Sequence, residues 1–373
     1  MGRNNIEVKK MNRNSIYTYI LKGSVVSKHE IAQSLQLSIP TVAQGLQDLQ
    51  ELSLVTEEGM LNSTGGRKAK GYMCIRDAKV AIGMDITENH ISLVMLDLAG
   101  QIILSKRKRI EVHDDEKFYL ALKNEVEELI ENSGINRDRI LGMGISLPAI
   151  VDETGQKIYA LYEKMSISKE FYHIMTQYFE FPIILTNDAN SSGKAELGLR
   201  GDYENSVYFS LSHTMGGAIF INGQLFGGND QRGGEIGHMT LIPGGRQCYC
   251  GRKGCADAYC ASKVLSDAVN GSIEDFFKQL EQGDEHCKQV WNEYLDYLAL
   301  EVHNLHIVFD CYIVIGGYVG QYINHYIHDL RRRVQKIDTY IEDASFLQAS
   351  ALKYEAPAIG AASVFIEQFK EQV

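Results

Sequence analysis

The 373-residue chain predicts an α/β protein of two lobes with a cleft between them, carrying a small helical head. Three observations lead there. A series of short β-rich runs, a helix and a further strand occurs once after residue 79 and again from Val207. Ahead of it lie two short amphipathic helices joined by a tight turn. The head is also basic where the body is acidic: residues 1–79 hold eleven Lys/Arg against seven Asp/Glu, so the remainder carries −15 beneath an overall charge of −11.

Composition narrows the class. With 45% hydrophobic and 23% charged residues the chain is an ordinary globular protein, neither disordered nor fibrous, and its length suits two or three domains. Met1 to Asn5 are polar and no apolar run nears the roughly 18 residues of a membrane span, so a soluble, cytoplasmic protein with no membrane partner is expected. Seven cysteines are too few and too uneven for a secreted disulfide framework. Three of them cluster at Cys248, Cys250 and Cys255, while Cys74, Cys260, Cys287 and Cys311 are spaced like buried small hydrophobes.

In the head, Ile16, Tyr17, Ile20 and Leu21 recur at helical spacing over residues 11–22. A second helix starts at Ser27, with Glu30 three residues on, and buries Ile31, Ala32 and Leu35. After the Leu37 turn, Ser38 caps a third helix with Pro40 in its first turn, burying Val42, Leu46 and Leu49. Two helices so joined present the second to a major groove. Ser38, Thr41, Gln44 and Gln47 then face outward as short polar side chains able to meet base edges or phosphates. Leu54–Thr56 and Tyr72–Cys74 predict paired strands around a polar tip, with Arg67 and Lys68 on the return. The whole predicts a winged helix-turn-helix over residues 1–78 that binds double-stranded DNA, a bland three-helix unit being the alternative.

In the body, Val80–Asp85, Ile91–Leu96 and Ile102–Ser105 predict an antiparallel start. A helix over residues 116–132 follows, with Leu120, Val126, Leu129 and Ile130 on one side, then strands at Ile140–Leu147 and Ile183–Leu185. The second series runs through Val207–Leu211, Ala218–Ile221 and Tyr312–Ile315, with Trp291, Leu295, Leu298, Val302 and Leu305 marking a long buried helix. Ligands in such folds bind between the lobes.

His238, Cys248, Cys250 and Cys255 fall within eighteen residues. Three soft thiolates and an imidazole with no open position select zinc in a closed structural site. Gly251 and Gly254 let the chain turn around the ion. Reduced, unliganded cysteines are the alternative.

Gly-Glu-Ile-Gly-His at 234–238, followed by Cys-x-Cys-Gly-x-x-Gly-Cys at 248–255, resembles the sugar-binding and zinc signature of the ROK family of repressors, open reading frames and sugar kinases. Within it the helix-turn-helix form resembles the xylose and N-acetylglucosamine repressors. The resemblance implies a two-lobed, actin-like (sugar kinase/RNase H-like) α/β fold behind the winged helix, with residues 79–373 as the sugar-binding domain. One lobe would span about 79–188 plus a C-terminal helix at about 351–373, the other about 189–350 with the zinc loop. It also implies homodimers or tetramers on palindromic operators, matching the need of one short recognition helix for a two-fold partner. Carried over by position, Asn187 and Asp188 match the family's sugar-contacting pair, Asp188 the base in kinases; Glu235 and His238 match sugar contacts, His238 doubling as zinc ligand. Asp257 matches a further sugar contact imperfectly: it stands where most relatives have glutamate, a carboxylate kept but shortened by one methylene.

A kinase must set backbone N–H groups against phosphates, which calls for glycine. The family's first phosphate loop, Asp-x-Gly-Gly-Thr, reads Asp85-Ile86-Thr87-Glu88-Asn89 here, and its second, Gly-Thr-Gly-x-Gly, reads Ser212-His213-Thr214-Met215-Gly216. Both have lost glycines, which points away from an ATP-dependent sugar kinase. The reading is a sugar-responsive transcriptional regulator, most simply a repressor, with no catalytic residues and a sugar effector in the cleft. Two alternatives stand beside it: the kinase itself, and a DNA-binding dimer whose cleft is vestigial.

Overall fold

The first helix of the head, Asn5–Lys22 (α1), starts before the apolar periodicity does, because residues 7–11 are exposed and leave no stripe. In this computed structural model residues 5–23, 25–61, 69–162, 164–201, 203–338 and 340–373 are described. After the two-residue strand Val26–Ser27 (β1), Ser27 caps Lys28–Leu35 (α2): its Oγ accepts from Glu30 N at 3.2 Å while its own N–H donates to Glu30 Oε2 at 3.3 Å. Ser38 caps Ile39–Glu51 (α3) by accepting from Thr41 N at 3.2 Å. Ile31, Ala32, Val42, Leu46 and Leu49 are buried as expected, but Leu35, in the last turn of α2, is only half-buried. Val55–Leu61 (β2) and Ala69–Cys74 (β3) pair antiparallel with Val55 opposite Cys74, and β1 lies along the far edge of β3. Arg67 and Lys68 lie outside the described residues.

The first lobe follows as Val80–Ile86 (β4), His90–Asp97 (β5), Ile102–Arg109 (β6), Glu116–Ser133 (α4), Ile140–Leu147 (β7), Ala149–Val151 (β8), Ile158–Leu161 (β9), Phe171–Met175 (α5) and Ile183–Asn187 (β10). Its main sheet has the order β10-β7-β4-β5-β6, antiparallel through β4, β5 and β6 and parallel from β4 to β7 and β10. Every residue of β4 is buried, as a central strand covered on both faces requires. On α4 the buried side is Phe118, Tyr119, Leu122, Val126, Leu129 and Ile130. Leu120, expected on that side, is 42% exposed, since two residues carry it about 200° around the helix from Phe118.

Asp188–Arg200 (α6) leads from the first lobe into the second. There Ser206–Leu211 (β11), Met215–Ile221 (β12) and Gln224–Leu225 (β13) precede the helices Asp257–Cys260 (α7), Ser262–Ala268 (α8), Ile273–Glu281 (α9) and Glu285–Phe309 (α10). Tyr312–Gly316 (β14), Gly317–Ile323 (α11), Ile327–Ile337 (α12) and Leu347–Ala349 (β15) complete it. The sheet order is β13-β12-β11-β14-β15. Trp291, Leu295, Leu298, Val302 and Leu305 of α10 are buried in its core, and Cys74, Cys260, Cys287 and Cys311 are buried too.

The chain then returns to the first lobe as Ala356–Gln372 (α13), laid across β4 and β7. The approach is so close that a Cβ on Gly83 or Gly144 would stand 1.9 Å from Ala358 O or 2.1 Å from Ala361 O, which explains glycine in two buried strands. The head shares this core: Leu54, Val55, Tyr72 and Cys74 pack with Leu96, Ala358, Ala362, Phe365 and Val373. Asn14 Nδ2 and Arg13 Nε donate to the carbonyls of Lys370 and Val373, tying α1 to the end of α13. Among the described residues no helix is long and apolar enough to cross a membrane.

Candidate functional site

A cavity of about 360 Å³ opens between the two sheets, lined from the first lobe by Asp85, Arg107 and Tyr162 and from the second by Ser212 and His213, with Asp188 at the start of the connecting helix. Its size lies in the range of small-ligand sites. Asp85, at the end of β4, accepts from Ser146 Oγ on β7 at 2.8 Å. Burial pushes its carboxyl up to about 7, against the Ser146 hydroxyl, with Asp188 adding to the rise.

Asn187 and Asp188 stand where β10 ends and α6 begins. Asn187 is spent on the fold: its Oδ1 accepts from Asn190 N at 3.0 Å as helix cap and its Nδ2 donates to Ala149 O at 3.0 Å. That bond fixes the β8 hairpin beside the helix start and leaves Asp188 facing the cavity. Burial raises the Asp188 carboxyl to about 6, the Ala189 N–H opposing and the Glu235 carboxylate assisting. A helix start favours the anion, so Asp188 is poised between acid and base near neutrality and suits a hydroxyl-rich ligand as acceptor or donor.

His238, Cys248, Cys250 and Cys255 bring ligand atoms that all lie within 4.8 Å of one another. Cys250 Sγ and Cys255 Sγ are 3.7 Å apart, and Cys248 Sγ is 3.9 Å from His238 Nδ1. Bonds of about 2.3 Å in a tetrahedron give edges of about 3.7 Å, so the donor set fits a four-coordinate ion. Gly251 and Gly254 take φ of +85° and +86°, and a Cβ on Gly254 would stand 1.9 Å from Ile242 O. Both turns therefore need glycine. With Nδ1 turned to the thiols, His238 Nε2 faces away, 4.0 Å from Glu235 Oε2 and 3.1 Å from the Tyr249 hydroxyl.

Asp257 is buried beside the thiol cluster. Its Oδ1 accepts from Met215 N at 2.7 Å and its Oδ2 lies 3.9 Å from Cys248 Sγ, so it braces the loop before β12 against the metal loop. Burial raises its carboxyl to about 6. In the head, Ser38, Gln44 and Gln47 are exposed while Thr41 is half-buried, its Oγ1 2.8 Å from Ser38 Oγ. Gln44 Nε2 donates to Asp48 Oδ1 at 2.8 Å, and Gln47 Nε2 to Glu51 Oε1 at 3.1 Å.

The two loops that would hold phosphates line the same cavity through Thr87, Glu88, Asn89, Ser212, His213 and Thr214. The first is a side-chain-bearing hairpin in which Thr87 N donates to His90 O at 3.0 Å, and the acidic residue Glu88 lines the cavity. Sequence reasoning missed Tyr249, between the first two cysteines, and Arg107, whose guanidinium lies 4.9 Å from the Tyr354 ring centroid. Arg107 sits in the basic run Lys106-Arg107-Lys108-Arg109, where strand alternation, with Lys106 and Lys108 turned to Glu125, is the signal that separates it.

Fold and cleft together define a two-lobed, actin-like sugar-kinase architecture. The chain belongs to the ROK family, whose model matches residues 81–368. It is 26% identical over 375 residues, 98% of this chain and 97% of the other, to the xylose repressor of Bacillus spizizenii. It is 25% identical over 264 residues, 70% of this chain and 65% of the other, to the transcriptional dual regulator NagC of Escherichia coli K12. A ROK family transcriptional regulator described as a homologue of the E. coli MLC protein shares the fold over 98% of this chain and 97% of its own, with a TM-score of 0.77 at 20% identity. A ROK hexokinase from Thermus thermophilus matches over 76% of this chain and 96% of its own, with a TM-score of 0.63 at 25% identity.

Proposed function

We propose that this protein is a sugar-responsive transcriptional repressor and not an enzyme. Residues 1–78 act as a winged helix-turn-helix on palindromic operator DNA. Residues 79–373 bind a sugar or sugar derivative between lobes of about 79–188 with 351–373 and about 189–350. Asp188, Glu235 and His238 are the sugar contacts, with Asn187 and Asp257 holding the loops that carry them. His238, Cys248, Cys250 and Cys255 hold a structural zinc, which fixes His238 beside Glu235. The protein works as a homodimer or a pair of dimers, because two half-sites need two heads.

The observation that carries this reading is the position of α13. Pro357 in its first turn borders the cavity, and its last residues hold α1 of the head through Asn14 and Arg13. One helix thus touches both the effector cleft and the unit that meets DNA, and lobe closure around a sugar reorients the head. Loss of glycine from both phosphate loops supports effector binding over phosphoryl transfer. Relatives named repressors align over nearly the whole chain, head included.

The test is a selection of duplexes from a random pool with the full-length zinc-loaded protein, followed by elution with D-xylose, D-glucose, N-acetyl-D-glucosamine and their phosphates. Enrichment of a palindrome eluted by one sugar is expected. A pool that yields no enriched sequence would remove the DNA-binding reading.

A further inference from the structure

Tyr249 joins the two lobes beside the cleft, against Tyr162, which lines it. It lies on the metal loop of the second lobe, and its ring meets Tyr162 of the first lobe edge-on, centroids 5.3 Å apart at 90°. Tyr162 is anchored at the end of the β8 hairpin, where its N–H donates to Pro148 O at 3.0 Å. It also stands edge-on to His213, 6.5 Å between centroids, so one ring contacts both loops of the second lobe. The Tyr249 hydroxyl is 3.1 Å from His238 Nε2. With a metal on Nδ1, Nε2 would carry the ring proton and donate to that hydroxyl. A hydrogen bond across the lobes runs from Gln231 Nε2 to Glu153 Oε1 at 3.1 Å.

We infer that Tyr249 is a gate on the effector cleft: its phenol holds the place of a sugar hydroxyl on His238, and an entering sugar must displace it. The inference rests on the effector reading of the cleft. Displacement breaks the Tyr249–His238 hydrogen bond and loosens the Tyr249–Tyr162 contact, so occupancy of the site and the relation of the lobes change together. A phenol is suited to this because it offers one hydroxyl to the same donor a sugar uses and an apolar ring to hold against Tyr162.

The experiment compares wild type, Tyr249→Phe and Tyr162→Leu as zinc-loaded full-length proteins, by calorimetric titration with D-xylose, D-glucose, N-acetyl-D-glucosamine and their phosphates, with zinc content measured alongside. Tyr249→Phe removes the competing hydrogen bond and keeps the ring, so it is expected to bind the sugar recognised by wild type about five-fold more tightly, at unchanged zinc. Tyr162→Leu is expected to shift affinity the same way. Equal binding by Tyr249→Phe, with wild-type binding intact, overturns the gate, and weaker binding overturns it and makes the hydroxyl a direct sugar contact. Silence of all three proteins toward every sugar and sugar phosphate overturns the effector reading and the gate with it.

Discussion

Leu352 donates its backbone N–H to Glu196 Oε1 at 2.7 Å, tying the helix that begins at Asp188 to the segment that crosses back between the lobes. Ser350 Oγ donates to the same oxygen, Arg200 Nε lies 3.1 Å from Oε2, and Arg200 Nη2 donates to Ala349 O at 2.6 Å. Glu196 is fully buried. Its carboxylate therefore links α6, which carries the cleft aspartate, to the chain entering α13, which carries the head.

Removing one partner of a buried ion pair strands the other. Glu196→Ala is expected to lower stability by about 3 kcal/mol in urea unfolding and to shrink the sugar-dependent change in DNA affinity. A loss below about 0.5 kcal/mol, the scale of an ordinary surface change, would show the network to be dispensable.

Asp85 gives a pH signature. Its carboxyl is raised to about 7 by burial, above the ordinary value of about 4, so the folded state binds this proton more tightly than the unfolded chain. Its effect is absent below about pH 4 and becomes a destabilisation as pH rises toward 7. Melting temperatures of Asp85→Asn and wild type are expected to approach each other at pH 4 and to separate toward pH 8, the variant melting higher. Parallel curves would contradict this.

Much of the site could be read from the sequence because its chemistry is local. The His and three Cys lie within eighteen residues, and glycines at 251 and 254 mark the turns that gather them. Helix caps at Ser27 and Ser38 are equally local signals. What escaped depends on contacts between residues far apart in the chain: Asn14 with Lys370, Glu196 with Leu352, Tyr162 with Tyr249. No periodicity encodes such pairs. Leu120 failed for a different reason, because an apolar residue on an exposed helix face looks the same in sequence as one on the buried face.

Cys250→Ser removes one of four donors. Metal analysis of the purified variant is expected to find little zinc, with the second lobe destabilised. Zinc at the wild-type ratio would refute the ligand set.

The helix Ile39–Glu51 holds no lysine or arginine, so on the proposed DNA-binding reading phosphate charge would be met elsewhere in the head. Gln44→Ala is expected to change base preference with little effect on salt dependence. Arg67→Ala and Lys68→Ala are expected to weaken binding to all sequences and to lower the salt slope by about 0.9 each. Salt titrations on matched and mismatched duplexes distinguish the two behaviours.

A sugar at Asp188 and DNA at the head are expected to oppose each other through one structure. Fluorescence anisotropy of a labelled operator, with and without the recognised sugar, measures it in wild type and Asp188→Asn. The sugar is expected to weaken wild-type DNA affinity about 5- to 150-fold, a coupling of about 1 to 3 kcal/mol, while Asp188→Asn binds the operator normally and ignores the sugar. An unchanged sugar response in Asp188→Asn would remove Asp188 from the effector site, and wild-type DNA affinity that no sugar alters would rule out coupling between cleft and head.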